Sequence, residues 1–272
     1  MIPKSSSNPT PRSLGLLLII PVLAYLIAPL AGCNTGGNKR IFESRKSSSE
    51  YLKMAMEAEK ADDRRRGVVG LANSPDATSD WAVKVFDTIA RTDVDAMVRS
   101  AALRALAPAV DPPRVETCVK LLTSESETHE GIRKAPPVVR WSAANLLLHA
   151  VRNGAVSDEQ HGAVIETLIA RVQSEKDVGA RLAMTEALGY FPKKKVLETL
   201  VAILLEENFT IRHAAEVSLA LLTGVTHDHD PEAWRQWLAQ NPDPFAGAGQ
   251  LPDSLARENQ NKNQWDWLGT ME

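Results

Sequence analysis

An all-α fold, a right-handed α-solenoid of about five stacked helix pairs with a capping helix at its C-terminal end, is predicted for this 272-residue chain by three observations. First, four segments align without gaps: "VRSAALRAL" from Val98, "VRWSAANLL" from Val139, "ARLAMTEAL" from Ala180 and "IRHAAEVSL" from Ile211. Each carries an arginine (Arg99, Arg140, Arg181, Arg212), Ala or Met three positions later and Leu seven positions later (Leu106, Leu147, Leu188, Leu219). Second, apolar residues in and between these segments recur at three- and four-residue intervals, the spacing of one helix face. Third, nothing of useful length alternates as a strand does, and a chain rich in Ala and Leu with 3 Tyr and 5 Phe favours helix over sheet.

The elements follow in order. The first pair, about 50–72, contains the degenerate copy "DRRRGVVGL" with Arg64 and Leu71. The second, 79–107, places Trp81, Val85, Phe86 and Ile89 on its first helix. The third, 112–152, uses Val115, Val119 and Leu122, with Cys118 on the same apolar face, so a buried thiol is expected there. A long insert, 123–137, separates the two helices of that pair and is read as a projecting loop. The fourth pair, 158–190, carries Val164, Ile165, Leu168, Ile169 and Val172. The fifth, 193–223, carries Val196, Leu197, Leu200, Ile203 and Leu204. "DPEAWRQWLAQNP", 230–242, reads as a cap: Asp230 as N-cap, Pro231 in the first turn, Trp234 and Trp237 over the last apolar edge, and Asn241-Pro242 as the stop. No single pair can bury its own apolar face, and stacking solves that problem.

The arginines are spaced by 35, 41, 41 and 31 residues, near the period of HEAT and armadillo repeats. Over residues 60–223 the pattern resembles HEAT repeats. The resemblance implies that the arginine helix is the second of each pair and lines a concave face. It also implies an aspartate four residues before the arginine: Asp95 and Asp177 match, whereas Pro136 and Asn208 leave that ladder incomplete.

The N-terminus predicts an address. Lys4 and Arg12 precede an uncharged run from Leu14 to Ala31, broken by Pro21 and Pro29. A positive start, an apolar middle and small residues before a cut describe a secretory signal rather than a span. Leu30-Ala31-Gly32-Cys33 resembles the lipobox of bacterial lipoproteins. That resemblance implies cleavage before Cys33, lipidation of its thiol and anchoring on the periplasmic side of the envelope. Residue 34 is Asn, which by the enteric sorting rule favours the outer membrane. Residues 33–49 are small and polar and read as a flexible tether. With Lys4 and Arg12 removed, 29 basic and 34 acidic side chains remain, a net charge of −5, which argues against nucleic acid as a partner.

Candidate sites are sparse. The arginine row reads first as a structural framework and second as an anion-binding ladder. His227, Asp228 and His229 offer metal-ligand chemistry without a third fixed ligand, a weak signal; they read first as a solvated loop leading into an N-cap and only second as a metal site. Lys193-Lys194-Lys195 reads as a solvated helix start, with an acidic-partner patch as the alternative. The segment 241–272 is expected to be largely disordered, yet Trp265, Trp267 and Leu268 form an aromatic cluster suited to docking on a partner or on the chain's own groove. No nucleophile elbow, nucleotide-binding glycine motif, H-E-x-x-H or C-x-x-C occurs, so no catalytic residue and no cofactor is assigned. The expected function is a non-catalytic, lipid-anchored scaffold that binds an envelope protein or peptide on its concave face. Two other readings stand beside it: a lyase-like enzyme, since HEAT-like solenoids occur in bilin lyases, and a metal-dependent envelope factor using residues 227–230.

Overall fold

A computed structural model describes residues 46–124 and 131–256. Every described residue belongs to one compact unit within Glu43–Glu272. The lipobox residues Leu30, Ala31, Gly32 and Cys33, the tether as far as residue 45, and Trp265, Trp267 and Leu268 lie outside the described residues.

The described chain is all-helical, with eleven α-helices of 10 to 17 residues, a short 3₁₀ turn at Ala107–Ala109 and no β-strand. Helices α1 (Ser48–Glu57) and α2 (Ala61–Ala72) form the first pair, α3 (Asp80–Thr92) and α4 (Ala96–Ala105) the second, and α5 (Pro112–Thr123) and α6 (Pro137–Arg152) the third. Helices α7 (Asp158–Ser174) and α8 (Val178–Leu188) form the fourth, α9 (Lys194–Ile203) and α10 (Phe209–Thr223) the fifth, and α11 (Pro231–Gln240) follows alone. The first helix begins two residues before the expected boundary, because Ser47 and Glu50 form a reciprocal capping box there.

Packing runs in sequence order. The second helices touch in the series α2–α4–α6–α8–α10, the first helices in the series α3–α5–α7–α9, and α11 lies against α9. The core is therefore continuous along the chain, from Val68 and Leu71 through Phe86, Leu103, Leu121, Leu147, Leu168 and Leu188 to Leu200, Leu219 and Trp234. Each such side chain removed from water contributes roughly 1.5–3 kcal/mol. Small residues set the approach of the second helices: the buried Ser100 and Ser142 hydroxyls meet at 2.8 Å between α4 and α6. Ser218 on α10 likewise donates to the Thr185 carbonyl of α8 at 3.1 Å.

Three of the second helices, α4, α8 and α10, start where a short polar side chain takes their first amides. Asp95 accepts from Met97 and Val98, Asp177 from Ala180, and Asn208 from Ile211. At α6 that place is held by Pro136, which makes no such bond. Asp230 caps α11 as expected, accepting from Glu232 and Ala233.

Of the segment 241–272, residues 241–256 are described and make defined contacts: Phe245 packs against the core, the Gly249 amide donates to the Leu221 carbonyl at 2.8 Å, and Leu255 is buried. Gly224 ends α10 in the left-handed region at φ 79°, and a side chain there would also strike the backbone of Gly247. A chain poor in apolar period is thus held by two glycines and one phenylalanine.

A close approach without slack also joins α1 to α2, where a Cβ at Gly67 would collide with the backbone of Met54 and Ala55. Gly67→Ala is expected to lower stability by about 1–3 kcal/mol through overpacking, although alanine is the better helix former. Thermal or urea unfolding checks this, and Gly162→Ala, with open space around its Cβ, is the control expected to be neutral or slightly stabilising.

Candidate functional site

The framework arginines build one recurrent site. Each of Arg64, Arg99, Arg140 and Arg181 stands in the first turns of a second helix and reaches two ways. Backward, it meets carbonyls at the end of the preceding helix or in the turn after it: Arg64 bonds Ala58 and Glu59, Arg99 bonds Ala90, Arg140 bonds Ala135, and Arg181 bonds Val172. Forward, it reaches the turn inside the next pair. Arg64 binds both carboxylate oxygens of Asp93 at 2.8 and 2.9 Å. Arg140 binds both oxygens of Glu175, and Arg181 meets Glu206 at 2.6 Å. A rung of this kind ties three elements with one side chain, and the fork of the guanidinium matches a carboxylate in two of the three cases.

The acids that complete the rungs differ from those implied by the repeat resemblance. Asp95 and Asp177 serve their own helix amides, and the arginines pair instead with residues two positions earlier in the turn. The reason is geometric. An N-cap side chain is committed to amides of its own helix, whereas a residue two places back sits on the turn that abuts the preceding pair. Of the two gaps in the ladder, at positions 136 and 208, one coincides with a junction that lacks a carboxylate and one does not: Arg99 meets only carbonyls in the turn before Pro136, whereas Arg181 finds Glu206 despite Asn208.

Burial makes these pairs count. The Glu175 side chain is fully buried and the Arg140 side chain is 19% exposed, whereas the i,i+3 pair Arg65–Asp62 stands in solvent and contributes little. Hydrogen bonds from Arg140 hold the Glu175 carboxyl down at about 2, against burial, with the amides of Asp177 and Lys176 helping. Arg99 is the exception. It is 3% exposed, its bonds go to backbone carbonyls, and burial together with the nearby Arg133 draws its guanidinium down to about 10. Arg212, on the last second helix, has no following turn; its guanidinium lies 5.8 Å from the Phe209 ring, and its buried Nε finds no hydrogen-bond partner among the described residues.

A second polar cluster closes the C-terminal end. Glu216, fully buried on α10, accepts from the Thr226 hydroxyl at 2.6 Å, the His227 amide at 2.9 Å and the Trp234 indole at 2.8 Å. One carboxyl group thereby fastens both the 226–227 turn and α11. It was overlooked in the sequence, although the signal was there: the same column of the alignment holds Leu103, Ala144 and Thr185, so an acid was out of place.

This arrangement also fixes the histidines. His227 packs edge-on against Trp234 at 4.7 Å. Asp228 and His229 take positive φ, and His229 swings back so that its Nε2 lies 3.2 Å from Nδ1 of His213 beside the exposed Phe209 ring. The sequence-expected trio His227, Asp228 and His229 is thus dispersed over an aromatic pair and a turn. Among the described residues no group of three or more His, Cys, Asp or Glu side chains is arranged to hold a metal ion. Cys118 is buried on α5 and burial pushes its thiol well up, as suits a packing residue. Lys193, Lys194 and Lys195 are exposed at the start of α9. No helix among the described residues is long and apolar enough to cross a membrane.

No family model matches the chain, and comparison with curated proteins finds no matching relative.

Two outcomes follow from these clusters. The Glu175 carboxyl falls from an ordinary 4.5 to about 2 on folding, so its contribution is complete above pH 4.5 and is lost as pH falls toward 2. Glu175→Gln is expected to cost on the order of 3 kcal/mol at neutral pH, with the gap from wild type closing over that acid window in urea unfolding curves. Glu216→Ala leaves three interior donors without an acceptor, at about 1–3 kcal/mol each. It is expected to red-shift the emission of Trp234 and to release α11 to proteolysis, with Glu216→Gln giving a smaller effect.

Proposed function

We propose that the chain is a lipid-anchored, non-catalytic interaction scaffold of the bacterial envelope, built as a right-handed HEAT-like solenoid. Its partner is an envelope protein or peptide on the concave face lined by the second helices. The observation that carries this reading is the sequential packing: second helix on second helix, first on first, with an arginine from each of three pairs bonded to an acid in the turn of the next pair. Such stacking favours a long curved surface over a closed pocket, and surfaces of that kind suit extended partners. The lipobox resemblance at Leu30, Ala31, Gly32 and Cys33 supports an anchor on the periplasmic side, with the outer membrane favoured. The aromatic pair Trp265 and Trp267, with Leu268, is assigned to docking on the partner or on the groove.

Crosslinking in intact cells, followed by identification of the attached protein, tests the reading. A specific envelope protein is expected, and Trp265→Ala with Trp267→Ala should reduce its recovery by about tenfold, an anchor-scale loss. Failure to recover any specific partner overturns the scaffold. Cys33→Ser is expected to leave unprocessed precursor without acyl labelling; normal processing of that variant refutes the anchor.

A further inference from the structure

One rung differs from the rest, and the difference lies in a single column. Six residues before a framework arginine, the turn carries Asp93 (before Arg99), Glu175 (before Arg181) and Glu206 (before Arg212). These are the acids that receive the arginine of the preceding pair. Before Arg140 the same column holds Lys134. The arginine of the preceding pair, Arg99, accordingly meets no carboxylate. Its Nε donates to Ala90, its Nη1 to the Lys134 carbonyl at 2.8 Å and its Nη2 to the Arg133 carbonyl at 2.9 Å. Those bonds use three of the five N–H groups of a guanidinium.

A cavity of about 390 Å³ opens at this junction, lined by Arg99, Arg133, Lys134 and Arg140 with Val94 and Pro137 among its apolar walls, and by no acid among the described residues. The nearby carboxylates among the described residues are already engaged: Asp93 by Arg64, Asp95 by the first amides of α4 and Glu175 by Arg140. Helix α6 starts at the same opening, with Pro136 in place of a side-chain cap, so the positive end of a 16-residue helix adds to the field. A buried guanidinium, a second arginine, a lysine in an acid's position and an uncapped helix start thus converge on one cavity.

We propose that this cavity receives a carboxylate from an acidic segment of the partner polypeptide, which supplies from outside the group that Asp93, Glu175 and Glu206 supply from within at the other junctions. The inference rests on the scaffold reading and names the chemistry of the partner. Carboxylate is the class because it is what the fold itself places against the equivalent arginine three times over.

The test is fluorescence anisotropy of a labelled hexaglutamate peptide titrated with the purified full chain and with K134E and K194E. The wild-type chain is expected to bind, more weakly as salt rises. K134E is expected to bind roughly tenfold less tightly or worse, with no loss of thermal stability because Arg99 gains an internal partner. K194E, an equal change of charge at an exposed site on α9, should stay within about twofold. The proposal is overturned by unchanged affinity in K134E, by equal loss in K134E and K194E, or by inorganic phosphate displacing the peptide where acetate at equal ionic strength does not. Failure of the peptide while cells still yield a crosslinked partner sinks the acidic-segment assignment alone. Peptide binding without any recoverable partner sinks the scaffold alone.

Discussion

A pair of ten- to seventeen-residue helices has more apolar surface than its two members can hide from each other, and the rest of this molecule is arranged around that shortage. Each pair borrows cover from the next. The borrowed contact has to be made in one register, since a slide of one turn would set Leu103 or Leu147 against the wrong neighbours. Apolar packing alone fixes register weakly, because greasy faces tolerate exchange among similar side chains. Directional bonds do it better. The arginine rungs, with a carbonyl behind and a carboxylate ahead, and the Ser100–Ser142 contact supply direction at the places where one pair meets another.

The ends pose a separate problem, since the last pair has no successor to cover it. The C-terminal answer is a polar one at the centre of an apolar lid. Trp234 fills the exposed end of the core, and the buried Glu216 carboxyl orients it through the indole nitrogen. The same carboxyl holds the turn that precedes α11, so position and direction of the lid come from one residue. Helix α10 then closes at Gly224, and the following chain folds back over it through Gly249 and Phe245.

How much of this was legible beforehand depends on the range of the interaction. The helix pairs, the Asp230 cap and the burial of Cys118 follow from local spacing, and local spacing is visible in a single chain. The partners of the arginines are not local: Arg140 and Glu175 are 35 residues apart, and their link depends on how two turns abut. A column six places before each arginine nevertheless reads Asp, Lys, Glu, Glu, so the acid that matters was present in the alignment but masked by the more familiar aspartate beside it. Glu216 is hard to read for a related reason: it looks like any helix carboxylate until it is set in the column of Leu103, Ala144 and Thr185, none of which is charged. The contacts of residues 241–256 leave no such mark, because two glycines and a phenylalanine carry no period at all.

The neighbour-only packing of α1 to α10 has a consequence for how such a molecule comes apart. Where each unit senses only those beside it, free energy is distributed as a chain of local couplings, and loss of order spreads inward from a weak junction instead of striking everywhere at once. The junction at Lys134 joins its neighbours without the carboxylate clamp present on either side. If that makes it the boundary between two cooperative blocks, amide exchange parts there first, with helices up to α4 and helices from α5 onward each opening as a body.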